Sequence, residues 1–147
     1  MNVLIAIDFS EHAQSLLDET VALLRGVLGE VWLLHVAEPD PDFVGFEVDP
    51  AVMRDQLAEG FHQEHRQLQA MADALRGRGV AATALQVQGE TVKAIVQQAG
   101  KLNVDLIVVG AHAHGPWRRF LSGEPGQAGL QAAGRPLLVM PVHKAPR

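Results

Sequence analysis

The clearest structural signal in this sequence is the stretch Val104-Asp105-Leu106-Ile107-Val108-Val109-Gly110-Ala111-His112-Ala113-His114-Gly115. Its apolar part, Leu106–Val109, is short and β-branched, which is typical of a strand that is buried on both faces. Gly110 stops this run, and glycine allows the chain to turn sharply and to approach a ligand closely. A strand that is followed by a glycine-bearing loop and a helix N-terminus is a common phosphate-binding arrangement in α/β proteins. We therefore expect part of any ligand site to lie here.

Strands and helices alternate along the rest of the chain. Apolar runs predict five strands, at Val3–Ile7, Val31–Val36, Val80–Val87, Leu106–Val109 and Leu137–Val142. Helical spacing predicts four helices: from Ser10 as N-cap to about Leu28, from Ala51 to about Arg76, from the turn Gln88-Gly89-Glu90-Thr91 to about Leu102, and from Glu124 to about Ala133. This alternation predicts a parallel sheet with helices on both faces and a ligand crevice at the carboxyl ends of its strands. The looser pattern of the third strand favours an edge of the sheet.

The composition limits the class of protein. With 147 residues the chain is expected to form one domain, residues 1–147. It contains no cysteine, which excludes disulfides and thiolate chemistry and fits a reducing compartment. A net charge of −5 argues against a duplex nucleic-acid partner. No apolar run approaches the roughly 18 residues that span a bilayer, so we expect no membrane partner.

Several segments, taken in order, resemble the universal stress protein family. They are Val3-Leu4-Ile5-Ala6-Ile7-Asp8-Phe9-Ser10-Glu11, Leu34-His35-Val36, Gly89-Glu90, Asp105-Leu106-Ile107-Val108-Val109-Gly110-Ala111-His112 and Pro136-Leu137-Leu138-Val139-Met140. The resemblance covers essentially the whole chain. It implies a cytoplasmic homodimer and a Rossmann-like five-stranded parallel sheet in the order 3-2-1-4-5, similar to that of the adenine nucleotide alpha hydrolases.

Nucleotide-binding members of that family carry a loop G-x2-G-x9-G-[S/T] after strand 4, and this chain departs from it. Gly110 and Gly123 match the first and third glycines, whereas Ala113 replaces the second and Glu124 replaces the hydroxyl residue. Glu124 would place a carboxylate at a helix N-terminus, where the carboxylate is stabilised and a phosphate would otherwise bind. We therefore expect Glu124 to fill the anion site and to repel a polyphosphate.

The resemblance also implies which residues form the nucleotide site. The aspartate after strand 1 and the backbone of strand 2 would hold the adenosine. Apart from the resemblance, Arg118 and Arg119 belong to an aromatic-basic cluster and are the best available phosphate donors if Glu124 points away. The full candidate site comprises Asp8, Phe9, Ser10, Val36, Gly110, His112, Ala113, Arg118, Arg119, Gly123 and Glu124. Simpler interpretations stand beside these roles: Asp8 as a turn residue, Ser10 as a helix cap, and His35 as a core histidine that is hydrogen-bonded to the backbone.

Three functions remain open at this stage. The sequence favours a regulatory or protective binding module that binds ATP weakly or not at all but can bind an adenine nucleotide such as AMP. The alternatives are an authentic ATP-binding member and an enzyme that hydrolyses an adenylate. Because no G-x-S-x-G nucleophile pattern is present, we do not expect an enzyme. The histidines at positions 12, 112 and 114 are too readily explained by chance to predict a metal site.

The last predicted strand, Leu137–Val142, is apolar and lies at an edge in the family order. An apolar edge strand is an aggregation liability unless another strand pairs with it. We expect a homodimer through this strand, as the resemblance implies, while the sequence names no other protein partner. The residues expected at the interface are Leu137, Leu138, Val139, Met140 and Val142.

Overall fold

The computed structural model describes residues 1–37, 50–110 and 133–141, and only the backbone of residues 50–58. Eight elements lie in these ranges, in the order predicted from the sequence. They are β1 (Val3–Ala6), α1 (Ala13–Leu23), β2 (Glu30–Ala37), α2 (Pro50–Gly77), β3 (Ala81–Gln88), α3 (Thr91–Leu102), β4 (Leu106–Gly110) and β5 (Leu137–Met140).

The five strands form one sheet in the order β3-β2-β1-β4-β5, and every neighbouring pair is parallel. This confirms the predicted fold class and order. β1 is central and all four of its residues are buried. Because both faces of this strand are buried, its sequence is a continuous apolar run and does not alternate between apolar and polar residues. The third strand lies at the edge, as its pattern predicted, and Thr83 is exposed there.

The sheet is covered on both faces, also as predicted. On one face Val3 and Ile5 pack with residues of α1 and α2, including Leu17 and Leu68. On the other face Leu4 and Ala6 pack with residues of α3, including Ile95 and Ala99. Alternate residues of β1 therefore point into two separate cores, which holds the carboxyl end of this strand firmly between two helical layers.

The longest helix, α2, runs from Pro50 to Gly77, within one residue of the predicted bounds. Proline is tolerated at the first helical position, where its missing N–H has no intrahelical partner. The helix ends at Gly77, and in the turn that follows Gly79 adopts a φ of +84°, which favours glycine. Among the described residues, every helix is too short or too polar to cross a bilayer.

The first helix is shorter than predicted at both ends. It begins at Ala13 with His12 as the N-cap residue, so the prediction of Ser10 as the helix cap is wrong. It ends at Leu23 rather than Leu28, and the following turn contains Gly26 at a φ of +90°. Leu28 nevertheless packs against the core. The helical spacing of apolar residues therefore reported their burial correctly, but part of that burial comes from a turn.

The remaining differences lie at strand ends. β1 ends one residue before the predicted bound, although Ile7 is buried and its N–H still donates to the Leu34 carbonyl at 2.8 Å. β5 ends at Met140, and Val142 lies outside the described residues. The predicted helix from Glu124 to Ala133 also lies outside them, except for Ala133, which is helical and buried.

Candidate functional site

The direction of the chain connections reverses between β1 and β4. The chain proceeds from β1 through β2 to β3 on one side, and then returns to β4 and β5 on the other. Ligands of open α/β sheets bind at the carboxyl ends of the strands at such a reversal. Ile5 pairs with Val108 in the parallel sheet. Continuing this register by two residues places Ile7 beside Gly110. The structure therefore brings Asp8 and Gly110 to the two sides of the reversal.

Asp8 opens a short loop, residues 8–12, which we call the Asp8 loop. The Ser10 N–H donates to Asp8 Oδ1 at 3.0 Å, and the His12 N–H donates to the Ser10 hydroxyl at 3.2 Å. The Ala13 N–H donates to the Ser10 carbonyl at 3.1 Å. Ser10 thus stabilises the turn that precedes the helix, rather than the helix itself. Asp8 remains exposed, beyond the carboxyl end of the central strand β1.

Phe9 holds an uncommon backbone conformation in this loop. Its φ is +56°, in the left-handed region, which costs of the order of 1–3 kcal/mol for a residue other than glycine. Such a conformation persists only when the surroundings impose it. The Phe9 ring packs against the core and lies 4.5 Å from the His35 ring, centroid to centroid, at an interplanar angle of 50°. The aromatic contact with His35 is therefore part of what fixes the loop.

His35 is nearly buried, as predicted for a core histidine, but its Nδ1 faces a carboxylate and not the backbone, so that part of the prediction is wrong. Its side chain is 12% exposed, and its Nδ1 lies 3.5 Å from Oε2 of Glu64 on α2. Gln86, its neighbour on β3, donates to the same Glu64 oxygen at 3.2 Å. Burial lowers the pKa of the His35 imidazole below its ordinary value, because the carboxylates of Glu64 and Asp8 oppose this effect only in part.

Sequence reasoning missed Glu64 and Gln86, although a signal for Glu64 was present. The apolar stripe of α2 includes Phe61 and Leu68, and Glu64 lies three residues after the first and four before the second. A charged residue at this spacing lies on the face that packs against the sheet. Gln86 carries no comparable signal, because its position in an alternating edge strand is compatible with solvent exposure.

Val36 and Gly110 occupy the ends of the strands that flank β1. Val36 is half-buried on the face that packs against α3, beside Val87. Gly110 is the last residue of β4 and pairs with Met140. A Cβ added to Gly110 would meet only Leu16 Cδ2, at an ordinary 3.8 Å. Packing among the described residues therefore does not require glycine at this position.

The phosphate half of the predicted site lies outside the described residues. This applies to His112, Ala113, Arg118, Arg119, Gly123 and Glu124, so their roles stay predictions. Within residues 1–37, 50–110 and 133–141, no three histidine or acidic side chains are grouped closely enough to hold a metal ion.

A cleft of about 390 Å³ lies on the opposite side of the sheet from the candidate site, at the amino ends of the strands. It is formed by the turns that follow α1 and α2, with Leu28 and Val80 among its apolar residues and Arg25 and Arg78 among its polar ones. Arg78 is already paired with Asp18, at 3.0 Å. None of the predicted site residues lines this cleft, so it is separate from the candidate nucleotide site.

Comparisons with solved structures show the same fold. The structure of the hypothetical protein MJ0577 is similar with a TM-score of 0.70 and 22% identity, over 98% of this chain and 97% of that one. A universal stress protein family protein from Arabidopsis thaliana with AMP bound is similar with a TM-score of 0.63 and 19% identity, over 97% and 92%. A universal stress protein in complex with cAMP is similar with a TM-score of 0.60 and 19% identity, over 99% and 98%.

At these identities the similar structures establish the fold alone. No curated protein matches the chain. The model of the universal stress protein family, in contrast, matches residues 1–141, which is nearly the whole sequence. Together with the strand order and the motifs at the carboxyl edge of the sheet, this match shows that the chain belongs to the universal stress protein family.

Proposed function

We propose that this chain is a regulatory or protective binding module of the cytoplasm that acts in a stress response. Its candidate site would retain the half that holds adenosine and would lack a working phosphate half. AMP or a similar adenine nucleotide would then bind weakly, and ATP would gain little from its additional phosphates. Binding, rather than catalysis, would be the biochemical activity.

The observation that carries this proposal is the position of Asp8. Its exposed carboxylate follows a central strand, at the point where the chain connections reverse between β1 and β4. A carboxylate there can accept hydrogen bonds from both hydroxyls of a ribose, and charged hydrogen bonds of this kind are the stronger ones. Val36, the last residue but one of β2, would offer backbone groups for the base. Two structurally similar proteins are recorded with AMP and with cAMP, which supports an adenine nucleotide as the ligand.

The phosphate half is proposed from the sequence. Glu124 takes the hydroxyl position of the family loop, and Ala113 takes a glycine position. The alanine adds one methyl group and disfavours a positive φ, which is a modest change. The glutamate adds a negative charge where a phosphate would bind, so it weakens ATP binding more than AMP binding.

We expect Asp8→Asn to weaken AMP binding by about tenfold or more, because a charged hydrogen-bond acceptor contributes roughly 1.5–3 kcal/mol. Titration calorimetry with AMP measures this directly. Asp18→Asn is the matched control, since Asp18 is exposed on α1 and pairs with Arg78, which lies near the amino ends of the strands and away from the candidate site. Equal AMP affinity in the two variants would contradict the role of Asp8. Hydrolysis of an adenylate that is lost in Asp8→Asn would show an enzyme instead of a binding module.

A homodimer through β5 is the second part of the proposal. Among the described strands, β5 lies at the edge of the sheet and pairs with β4 alone. Val139 is 39% exposed although it lies in an apolar strand. An unpaired apolar edge of this kind is stabilised when a second copy covers it. Leu137, Leu138 and Met140 would flank Val139 at the interface.

We expect the unmodified protein to have twice the 15.9 kDa mass of the chain in light scattering at micromolar concentration. Val139→Glu would shift the mass to that of one chain, because the interface would then bury an unpaired charge. Val27→Glu is the control, since Val27 is 51% exposed in the turn after α1. A monomeric unmodified protein, or a dimeric Val139→Glu, would exclude an interface at β5.

A further inference from the structure

Four side chains from four parts of the fold meet beside the Asp8 loop, and we call them the His35 cluster. They are Phe9 from the loop, His35 from β2, Gln86 from β3 and Glu64 from α2. We propose that His35 is a proton-sensitive positioning residue: its neutral imidazole holds the Asp8 loop in place through Phe9, and uptake of a proton releases that loop. The consequence for ligand binding rests on the proposed role of Asp8, whereas the effect on the loop does not.

The mechanical link runs through Phe9. Its left-handed φ of +56° is unfavourable, so the packing of the ring is one of the interactions that must hold the loop in this conformation. One of the surfaces that the ring packs against is the His35 imidazole, at 4.5 Å between centroids. Asp8 is the next residue in the chain. Loss of the contact between Phe9 and His35 therefore removes an interaction that opposes relaxation of the strained φ, and that relaxation would move the backbone that presents the Asp8 carboxylate.

The surroundings of His35 favour its neutral form. Its Nδ1 and the Gln86 Oε1 are the fully buried side-chain atoms without a hydrogen-bond partner in the described part of the chain. A carboxylate oxygen faces Nδ1 at 3.5 Å, so we assign the single proton of the neutral ring to Nδ1, directed at Glu64. A further proton would enter at Nε2 and would make the ring a buried cation.

The charged groups near His35 cannot compensate fully for that burial. Glu64 reaches it from α2 and Asp8 from the loop, while the neighbour on β3, Gln86, is uncharged. The Glu64 side chain is 42% exposed, so water screens its attraction for an imidazolium. Burial remains the larger effect, and the pKa of His35 in the packed loop lies below that of an exposed histidine.

The direction of the pH effect follows from this order of pKa values. When the loop opens, His35 is exposed and regains a pKa of about 6.5. The open state then binds more protons than the packed state, so lowering the pH favours opening. The population of the open loop should rise by up to about tenfold per pH unit below about pH 6.5, and should level off below the lowered pKa of the packed state. Above that range the loop should be insensitive to pH.

Amide hydrogen exchange of the full chain, without nucleotide, tests this directly. The N–H groups of Ser10 and His12 are both hydrogen-bonded within the Asp8 loop, so their protection reports its opening. Protection is measured by NMR between about pH 7.5 and pH 5, relative to the intrinsic rate at each pH. We expect protection to fall as the pH is lowered. The fall should follow the change in the NMR chemical shifts of the His35 imidazole, which report its protonation. Constant protection, or protection that increases as an imidazolium pairs with Glu64, would overturn the proposal.

Two variants separate His35 from the other titrating groups of the loop. Glu11 and His12 are the other ionisable side chains that follow Phe9 in this loop, and they lie 3.4 Å apart. His35→Phe keeps a ring against Phe9 but cannot titrate, so its protection should not change with pH. Glu64→Gln removes one carboxylate that favours the imidazolium, so the fall in protection should extend to lower pH. Glu59→Gln, on the exposed part of the same helix, should behave as the unmodified protein.

The variants also define how the proposal fails. A pH dependence that persists in His35→Phe would assign the effect to His12 or Glu11 and would contradict the role of His35. A Glu64→Gln profile that is indistinguishable from that of Glu59→Gln would show that Glu64 does not act on His35. Because no nucleotide is present, neither result depends on whether the protein binds AMP.

Discussion

Replacing Glu124 by serine and Ala113 by glycine together should convert the protein into one that binds MgATP at least about tenfold more tightly than the unmodified chain. The double change restores the family loop G-x2-G-x9-G-[S/T] at both positions where this sequence departs from it. In the proposed site it would remove a carboxylate from the position where a phosphate would bind, and it would supply a hydroxyl. A charged hydrogen bond and the loss of a repulsion each contribute on the order of 1–3 kcal/mol, and 1.4 kcal/mol corresponds to tenfold in affinity.

The single variants show which change matters. Glu124→Ser alone should give most of the gain, since it alters charge, whereas Ala113→Gly alone should give little. Titration calorimetry with ATP and magnesium measures all three variants beside the unmodified protein. If the double variant binds MgATP no better than the unmodified chain, then Glu124 is not what weakens the phosphate half of the site.

Leu17→Ala should destabilise the fold by about 2–5 kcal/mol, which is a large part of the roughly 5–15 kcal/mol that stabilises a domain. Leu17 is completely buried between α1 and the sheet, where it packs in the core that also contains Ile5 and Leu33. Its truncation leaves a cavity that the rigid strands cannot close. The free energy of unfolding is obtained from urea denaturation followed by circular dichroism.

The same substitution at the end of the same helix is the matched control. Leu23 is 61% exposed, so Leu23→Ala should change the free energy of unfolding by no more than about 0.5 kcal/mol. Similar losses in the two variants would mean that α1 does not pack on the sheet through the face that contains Leu17.

The fold was predictable because its strands are buried on both faces. β1 and β4 are continuous apolar runs, and such runs separated by helical patterns favour a parallel α/β sheet. The full strand order is implied by the resemblance of short segments to a family, since the hydrophobic pattern indicated only that the third strand lies at an edge and not which strands are neighbours. The ends of α1 were not predictable, because Leu28 has helical spacing but packs from a turn. The spacing of apolar residues therefore indicates which side chains are buried, but it does not show whether they belong to a helix or to a turn.

The candidate site was predictable only in part. The position of Asp8 follows from the rule that ligands bind at the carboxyl ends of strands, and the structure places it there. The contact between His35 and Glu64 joins residues that are 29 positions apart, and it depends on the orientation of α2 over the sheet. The positive φ of Phe9 also could not be predicted from the sequence, because phenylalanine has no preference for that conformation.

The ratio of two affinities of the unmodified protein, for AMP and for MgATP in the same buffer, tests the central claim most directly. Both are measured by titration calorimetry. If the adenosine half is retained and Glu124 occupies the phosphate half, AMP binds weakly and MgATP binds no more tightly than AMP. MgATP that binds at least about tenfold more tightly than AMP would contradict this claim. The phosphates would then be held despite Glu124, with Arg118 or Arg119 as their donors.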